Sequence, residues 1–171
     1  MEKVWEILPK IENKYLRLYP QYDPFVLQLL YNRGLREKGE IEKFLNPDFA
    51  SHTHDPFLFK DMKAAVETII GHIKSGNLIF VYGDYDADGV TSSALITGVL
   101  KTLLAKVDIR IPHRVSEGYG LNLRAVEEMA AAGAKLIVTV DNGIRNRAEV
   151  AKAKELGIDV VVCDHHPAPQ D

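Results

Sequence analysis

An α/β fold, a mostly parallel sheet with helices on both faces, is predicted by three features of these 171 residues. Short Val- and Ile-rich runs recur at 78–82, 107–111, 135–140 and 158–163; stretches with helical apolar spacing separate them; and asparagines and glycines punctuate the changeovers. Continuous apolar runs, as at 78–82 and 160–163, belong to strands buried on both faces, which is the signature of a parallel sheet joined by helical crossovers.

Residues 1–56 precede this alternation and read as a small helical arm. They contain Trp5, several other aromatics, scattered prolines and two helix-like patterns, over 24–33 and 37–44. The stretch 46–56, with Asn46-Pro47-Asp48 and Ser51-His52-Thr53-His54-Asp55-Pro56, reads as a turn-rich connection. The second region, 57–171, begins with a helix that Asp61 can cap, with Met62, Ala65, Val66, Ile69, Ile70 and Ile73 on its apolar face and Gly76 at its end. A strand over 78–82 follows. Residues 90–104 are nearly all apolar or small, as for a helix packed between layers. After the strand at 107–111, Asn122 caps a helix to Ala132 that Gly133 closes, and Asn146 opens another that Gly157 ends. Right-handed crossovers then bring every strand's carboxyl end to one rim, where ligands bind in open sheets of this kind.

A hydrophobic fraction of 46% and a charged fraction of 26% suit one globular core with a small appendage and exclude a fibre or an acidic tail. The net charge of −3 gives no global attraction to nucleic acid, so such binding must come from local basic residues or from cations facing phosphates. The one cysteine, Cys163, is expected to be buried on its strand. With no disulfide framework, no leader pattern and no apolar run of membrane-spanning length, a cytoplasmic setting without a membrane partner is expected.

Three of the apolar runs end in acidic clusters: Gly83-Asp84-Tyr85-Asp86-Ala87-Asp88-Gly89, Asp141-Asn142-Gly143 and Asp164-His165-His166. Gathering that many carboxylates on one rim is unfavourable unless cations neutralise them, which points to a metal site and to metal-assisted hydrolysis. The spacing of Asp84, Asp86 and Asp88 places all three on one face if the backbone stays extended. A solvated turn or an EF-hand loop is the other reading, but position twelve is Leu95 where that loop needs glutamate. Asp141-Asn142-Gly143 is a type I′ turn or, at the end of a parallel strand, an Asp141 ligand bridging two ions. Asp164-His165-His166 is an exposed turn before Pro167 or an imidazole donor beside oxygen, which suits Mn2+, Fe2+ or Zn2+. Asp164 in that second case either ligates or orients a histidine. His113 and Arg114 follow a strand and reach the same rim, with Tyr119 between two glycines offering an aromatic face to a base or sugar. His52, His54 and His72 are expected to be solvated.

Together, VYGDYDADGVTSSA, the Asp-Asn-Gly turn and the literal Asp-His-His resemble the DHH phosphoesterase superfamily. Trp5, Asn32-Arg33-Gly34, Phe44-Leu45-Asn46-Pro47, Asp55-Pro56-Phe57-Leu58, Lys60-Asp61-Met62 and Glu117-Gly118-Tyr119-Gly120-Leu121 resemble its RecJ branch, the single-strand-specific 5′ to 3′ DNA exonucleases. The resemblance implies two Mn2+ or Mg2+ ions held by Asp84, Asp86, Asp88, Asp141 and His165, catalysis through Asp141, His165 and His166, and His166 on the scissile phosphate. It places His113, Arg114 and Tyr119 near the nucleic acid, and Asp164 behind the ligands. Single-stranded DNA is the implied substrate, with other repair or recombination proteins as partners. The resemblance further implies a metal-binding aspartate several dozen residues beyond the DHH motif and a second, nucleic-acid-gripping domain. The chain is therefore expected to be an N-terminal piece of a longer protein. The rival functions are a phosphodiesterase for short oligoribonucleotides or cyclic dinucleotides, a more distant inorganic pyrophosphatase, and a non-catalytic replication scaffold.

Overall fold

The computed structural model describes Val4 and residues 6–169, so Trp5 lies outside the described residues. The chain divides into two compact units, Met1–Leu58 and Phe59–Asp171.

The first unit holds α1 (Asn13–Leu18), α2 (Pro24–Asn32), α3 (Lys38–Leu45), α4 (Phe49–His52) and a 3-10 turn over Pro56–Leu58. The two expected helices are α2 and α3. Asp23 caps α2 by accepting the Phe25 N–H at 2.8 Å, with Pro24 at the first helical position, where its missing N–H is not needed. Both α1 and α4 escaped the sequence reading because each is a turn or so long and lacks a full apolar repeat. Within the stretch read as a connection, Asp48 accepts the Ser51 N–H at 2.8 Å and its own N–H donates to Nδ1 of His52 at 2.9 Å, which together close α4. His52 is thus a capping residue, whereas His54 is exposed as expected. Tyr19, Leu27, Leu30 and Ile41 form this unit's core.

The second unit alternates α5 (Met62–Lys74), β1 (Leu78–Tyr82), α6 (Ala87–Thr102), β2 (Lys106–Arg110), α7 (Leu123–Ala131), β3 (Ala134–Val140), α8 (Arg147–Glu155) and β4 (Asp159–Cys163). The four strands are all parallel, in the order β2-β1-β3-β4. Alternation along β1 divides the core. Phe80 and Tyr82 pack with Ala125, Val126 and Met129 of α7 and Ala153 of α8, while Ile79 and Val81 face Leu100 of α6 and Ala65 and Ile69 of α5. Helices therefore cover both faces, as the apolar runs predict. Asn122 caps α7 by accepting the Ala125 N–H at 2.8 Å. Asp61 precedes α5 without a side-chain capping bond.

Two further expectations fail. Cys163 is exposed because β4 is the sheet's edge and has a neighbour on one side only. His72 is not solvated: its side chain is 14% exposed, its Nε2 meets Asp159 Oδ2 at 2.9 Å, and Asn77 Nδ2 meets its Nδ1 at 3.0 Å, tying α5 to the start of β4.

No helix among the described residues is long and apolar enough to cross a membrane. The strand order reverses between β1 and β3, whose crossover helices α6 and α8 lie on opposite faces. The carboxyl ends of these two strands diverge into loops at that point and leave a crevice. Leu136 is fully buried on β3. Leu136→Ala is expected to lower stability by about 2–5 kcal/mol, the range for emptying a packed leucine site, in urea unfolding of the chain.

Candidate metal centre at the sheet switch point

Asp84 follows β1 and is 2% exposed. Its backbone lies so close to α6 that a Cβ at Gly89 would sit 2.5 Å from the Asp84 carbonyl oxygen. Gly89 is therefore needed for its lack of a side chain. Asp86 caps α6, accepting the Gly89 N–H at 3.0 Å. The helix thus begins at Ala87, earlier than the apolar run alone indicates. This corrects the extended reading of the three aspartates. Asp84 lies in the loop and Asp86 at the cap, whereas Asp88 lies exposed in the first helical turn. Residues two apart project to opposite sides once the chain coils, and an exposed carboxylate in the first turn is already favoured by the helix dipole.

Asp141 follows β3 with φ +63, a left-handed conformation that few side chains adopt, and it is 7% exposed. Its N–H donates to the Cys163 carbonyl at 2.9 Å, so the parallel ladder to β4 runs into the site. Gly143 follows at φ +112, where a Cβ would come within 2.6 Å of Thr139 Oγ1. The segment leads into α8 rather than back along β3, so the hairpin reading of Asn-Gly fails. Asn142, fully buried, donates to the Tyr82 carbonyl at 3.2 Å and to the Val140 carbonyl at 2.9 Å. It ties the ends of β1 and β3 together, a role that sequence reasoning missed.

After β4, the Asp164 side chain is 1% exposed. Its Oδ2 accepts the Ile144 N–H at 3.0 Å, and its Oδ1 accepts the His166 N–H at 3.1 Å and faces His166 Nδ1 at 2.7 Å. A carboxylate only accepts, so Nδ1 carries the proton and Nε2 of neutral His166 keeps its lone pair. Of the two roles left open for Asp164, the geometry matches orientation of a histidine. His165 Nε2 is 3.0 Å from Asp141 Oδ1, and the two imidazole rings lie 4.6 Å apart.

The loop over 113–120 closes one side. Arg110 pairs with Glu117 at 2.6 Å and Glu128 at 3.0 Å, Glu117 accepts the His113 N–H at 2.7 Å, and Tyr82 donates to the Gly120 carbonyl at 3.1 Å. The His113 ring is engaged locally, its Nδ1 lying 3.0 Å from Ser116 Oγ. Arg114 stacks its guanidinium 4.6 Å above the Tyr85 ring. Tyr119 donates its hydroxyl to the Asp141 carbonyl at 3.0 Å. Its predicted aromatic face is half exposed, but its polar end is taken up by the site.

Two triads offer ligand atoms that lie within 4.8 Å of one another: Asp84, Asp86 and Asp141, and Asp141, His165 and His166. Asp141 belongs to both. Asp88, His113 and Arg114 belong to neither. Charges respond to this crowding. Burial and the nearby Asp86 push the Asp141 carboxyl above its usual range, against the opposing pull of His165. The Gly89 N–H above all, with Arg114 as a weaker influence, holds Asp86 below the carboxylate range. Burial pushes Asp164 upward, but its bonds to Ile144 and His166 outweigh that and keep it low. Burial and then the surrounding carboxylates drive the Tyr119 hydroxyl to about 12, so it remains a donor.

Buried Oδ1 atoms of Asp84 and Asp141 have no hydrogen-bond partner, the His165 contact lying outside hydrogen-bond geometry. Uncompensated buried carboxylate oxygens are strongly unfavourable. A donor set of carboxylates with adjacent imidazole fits a divalent ion such as Mn2+ or Mg2+.

The model of the DHH family, N-terminal domain, matches residues 78–171. The chain is 42% identical over 169 residues to the single-stranded-DNA-specific exonuclease RecJ of Bacillus subtilis, covering 97% of this chain and 21% of that protein. With the RecJ exonuclease of Escherichia coli it shares 38% identity over 144 residues, covering 84% of this chain and 24% of that one. It thus spans about a fifth to a quarter of the length of these relatives. Among solved structures, exonuclease RecJ bound to manganese superposes with a TM-score of 0.62 at 39% identity, over 66% of this chain and 29% of that one. RecJ in complex with Mn2+ from Thermus thermophilus gives 0.61 at 29% identity, over 92% of this chain and 21% of that one.

Because the Gly89 Cβ position is filled by Asp84 main chain, Gly89→Ala is expected to cost about 1–3 kcal/mol through overpacking, to displace Asp84, and to weaken Mn2+ binding. Thermal unfolding and calorimetric titration of the chain check both effects.

Proposed function

The chain belongs to the DHH family, and on that premise we propose that it carries the metal-binding rim of an exonuclease that hydrolyses phosphodiester bonds of single-stranded DNA. The observation that carries this reading is the sharing of one buried carboxylate, Asp141, between two ligand groups at the sheet's switch point. The RecJ names and manganese-bound structures of its relatives supply the substrate and the metal. By the same likeness the polarity is 5′ to 3′ and the ions are Mn2+ or Mg2+.

Divalent cations held at this rim supply Lewis acidity toward the phosphodiester and lower the pKa of the attacking water, so no side-chain nucleophile is needed. Asp84 and Asp86 contribute oxygen donors on the β1 side, Asp141 spans both groups, and His165 adds nitrogen beside it. His166 has Nδ1 tied to Asp164, whose carboxylate raises the pKa of the imidazole and so favours the protonated ring, with Nε2–H available to donate to a phosphate oxygen. Asp88 is left out of the ligand set because α6 has taken it up. Arg114, next to Asp86 through Tyr85, is a local cation for the DNA backbone of a chain whose net charge is −3. His113 has no comparable support, since its ring serves its own loop.

The chemistry belongs to 57–171, with 1–56 as an accessory arm. A cytoplasmic setting and a role alongside other repair and recombination proteins follow from the RecJ likeness; the single cysteine is consistent with a reducing compartment.

Calorimetry of the chain with Mn2+ should detect divalent binding that EDTA reverses. Asp141→Ala should weaken it by more than about a hundredfold, beyond the range in which partners of a ligand act. In a protein of the relatives' length containing this segment, the same substitution should abolish Mn2+-dependent release of nucleotides from single-stranded DNA. Undiminished release would remove Asp141 from the mechanism.

A further inference from the structure

We propose that Tyr119 is a positioning residue whose hydroxyl, bridging the main chain of Asp141 and the ring of His166, locks these two members of the site against each other. The inference rests on the metal-centre reading and adds to it a residue that touches neither cluster as a ligand.

One oxygen joins two elements here. The Tyr119 hydroxyl donates to the Asp141 carbonyl at 3.0 Å and lies 3.0 Å from His166 Nδ1. With its own proton committed to the carbonyl, it meets His166 as an acceptor, sharing the Nδ1–H that also points to Asp164 Oδ1 at 2.7 Å. The imidazole is therefore held by two acceptors on one nitrogen, and in the neutral ring both favour the tautomer with its proton on Nδ1. The Tyr119 ring also stands edge-on to the imidazole, with centroids 5.6 Å apart and planes at 74°, which blocks rotation of His166 toward it.

Asp141 needs such a hold. Its φ of +63 lies in the left-handed region, which disfavours L side chains and which aspartate tolerates better than most, so bonds on either side help to retain it. Its N–H is fixed by the Cys163 carbonyl and its carbonyl by Tyr119, so the peptide units on both sides of the unusual φ are anchored.

The framework, rather than a ligand, decides where Tyr119 stands. It lies between Gly118 at φ +78 and Gly120 at φ +85. The Gly120 carbonyl is held by Tyr82, and a Cβ at Gly120 would meet Asn146 Oδ1 at 3.0 Å, so the loop is seated against the start of α8. A tyrosine kept for stacking on bases would not need its hydroxyl fixed between two members of a metal centre.

Tyr119→Phe removes the hydroxyl and keeps the ring; Tyr119→Leu removes both. With folding checked by circular dichroism, Mn2+ affinity is measured by calorimetry and the His166 tautomer by 15N–1H correlation of the metal-free chain. Both variants are expected to bind Mn2+ about tenfold more weakly, as on loss of a partner behind a ligand. The His166 ring signals should shift and broaden as the ring gains freedom to turn, with Nδ1 still protonated against Asp164 Oδ1. If Phe retains wild-type affinity and His166 signals, or if only Leu loses them, the hydroxyl does not act and the proposal is overturned. Should Leu fail to fold, Phe alone decides. A wild-type chain that takes up no Mn2+ overturns the metal reading and this proposal together, an outcome distinct from binding that is indifferent to Tyr119.

Discussion

Two carboxylates, Asp84 and Asp141, are sunk side by side into the rim of a parallel sheet with one oxygen each left unsatisfied. Such an arrangement is unfavourable in itself, since desolvation and mutual repulsion both disfavour the ionised pair. It becomes favourable when a cation stands between them, and much of the surrounding structure is arranged to keep that space open to one. The strand reversal between β1 and β3 provides the crevice, and the two aspartates follow those strands.

What holds the pair is a set of groups that do not ligate. Gly89 lets α6 begin against the Asp84 backbone. Asn142 joins the ends of β1 and β3. Asp164 uses one oxygen for the Ile144 main chain and the other for His166, so the loop after β3 and the motif after β4 are referred to a common carboxylate. Together these contacts leave the donors little freedom to spread away from one another. Organisation of this kind reduces the reorganisation needed when charge develops on a phosphate.

The family match falls on the segment that holds both ligand groups and starts at β1. The curated relatives are several times longer than this chain, so substrate choice belongs to the proposal for a whole protein, whereas the crevice and its donors belong to the residues described.

The parallel α/β alternation was legible because continuous apolar runs and their Asn and Gly boundaries depend on local chemistry. All four strands fall within a residue of their expected positions. The acidic motifs were legible too, because their spacing puts charge directly after a buried strand. Legibility failed wherever a side chain's partner lies far along the chain. His72 meets Asp159, and Tyr119 meets His166 and Asp141. Cys163 is exposed only because its strand became an edge. The place of Asp88 turned on a single hydrogen bond, the Asp86 cap, that commits the chain to helix before the third aspartate. By itself, then, the sequence determined the architecture and the type of atom at the rim, since both follow from patterns within a few residues. Only the tertiary structure decided which donor atoms lie together, because strand order and register set distances between residues up to 82 positions apart, from Asp84 to His166, across gaps that no local preference spans.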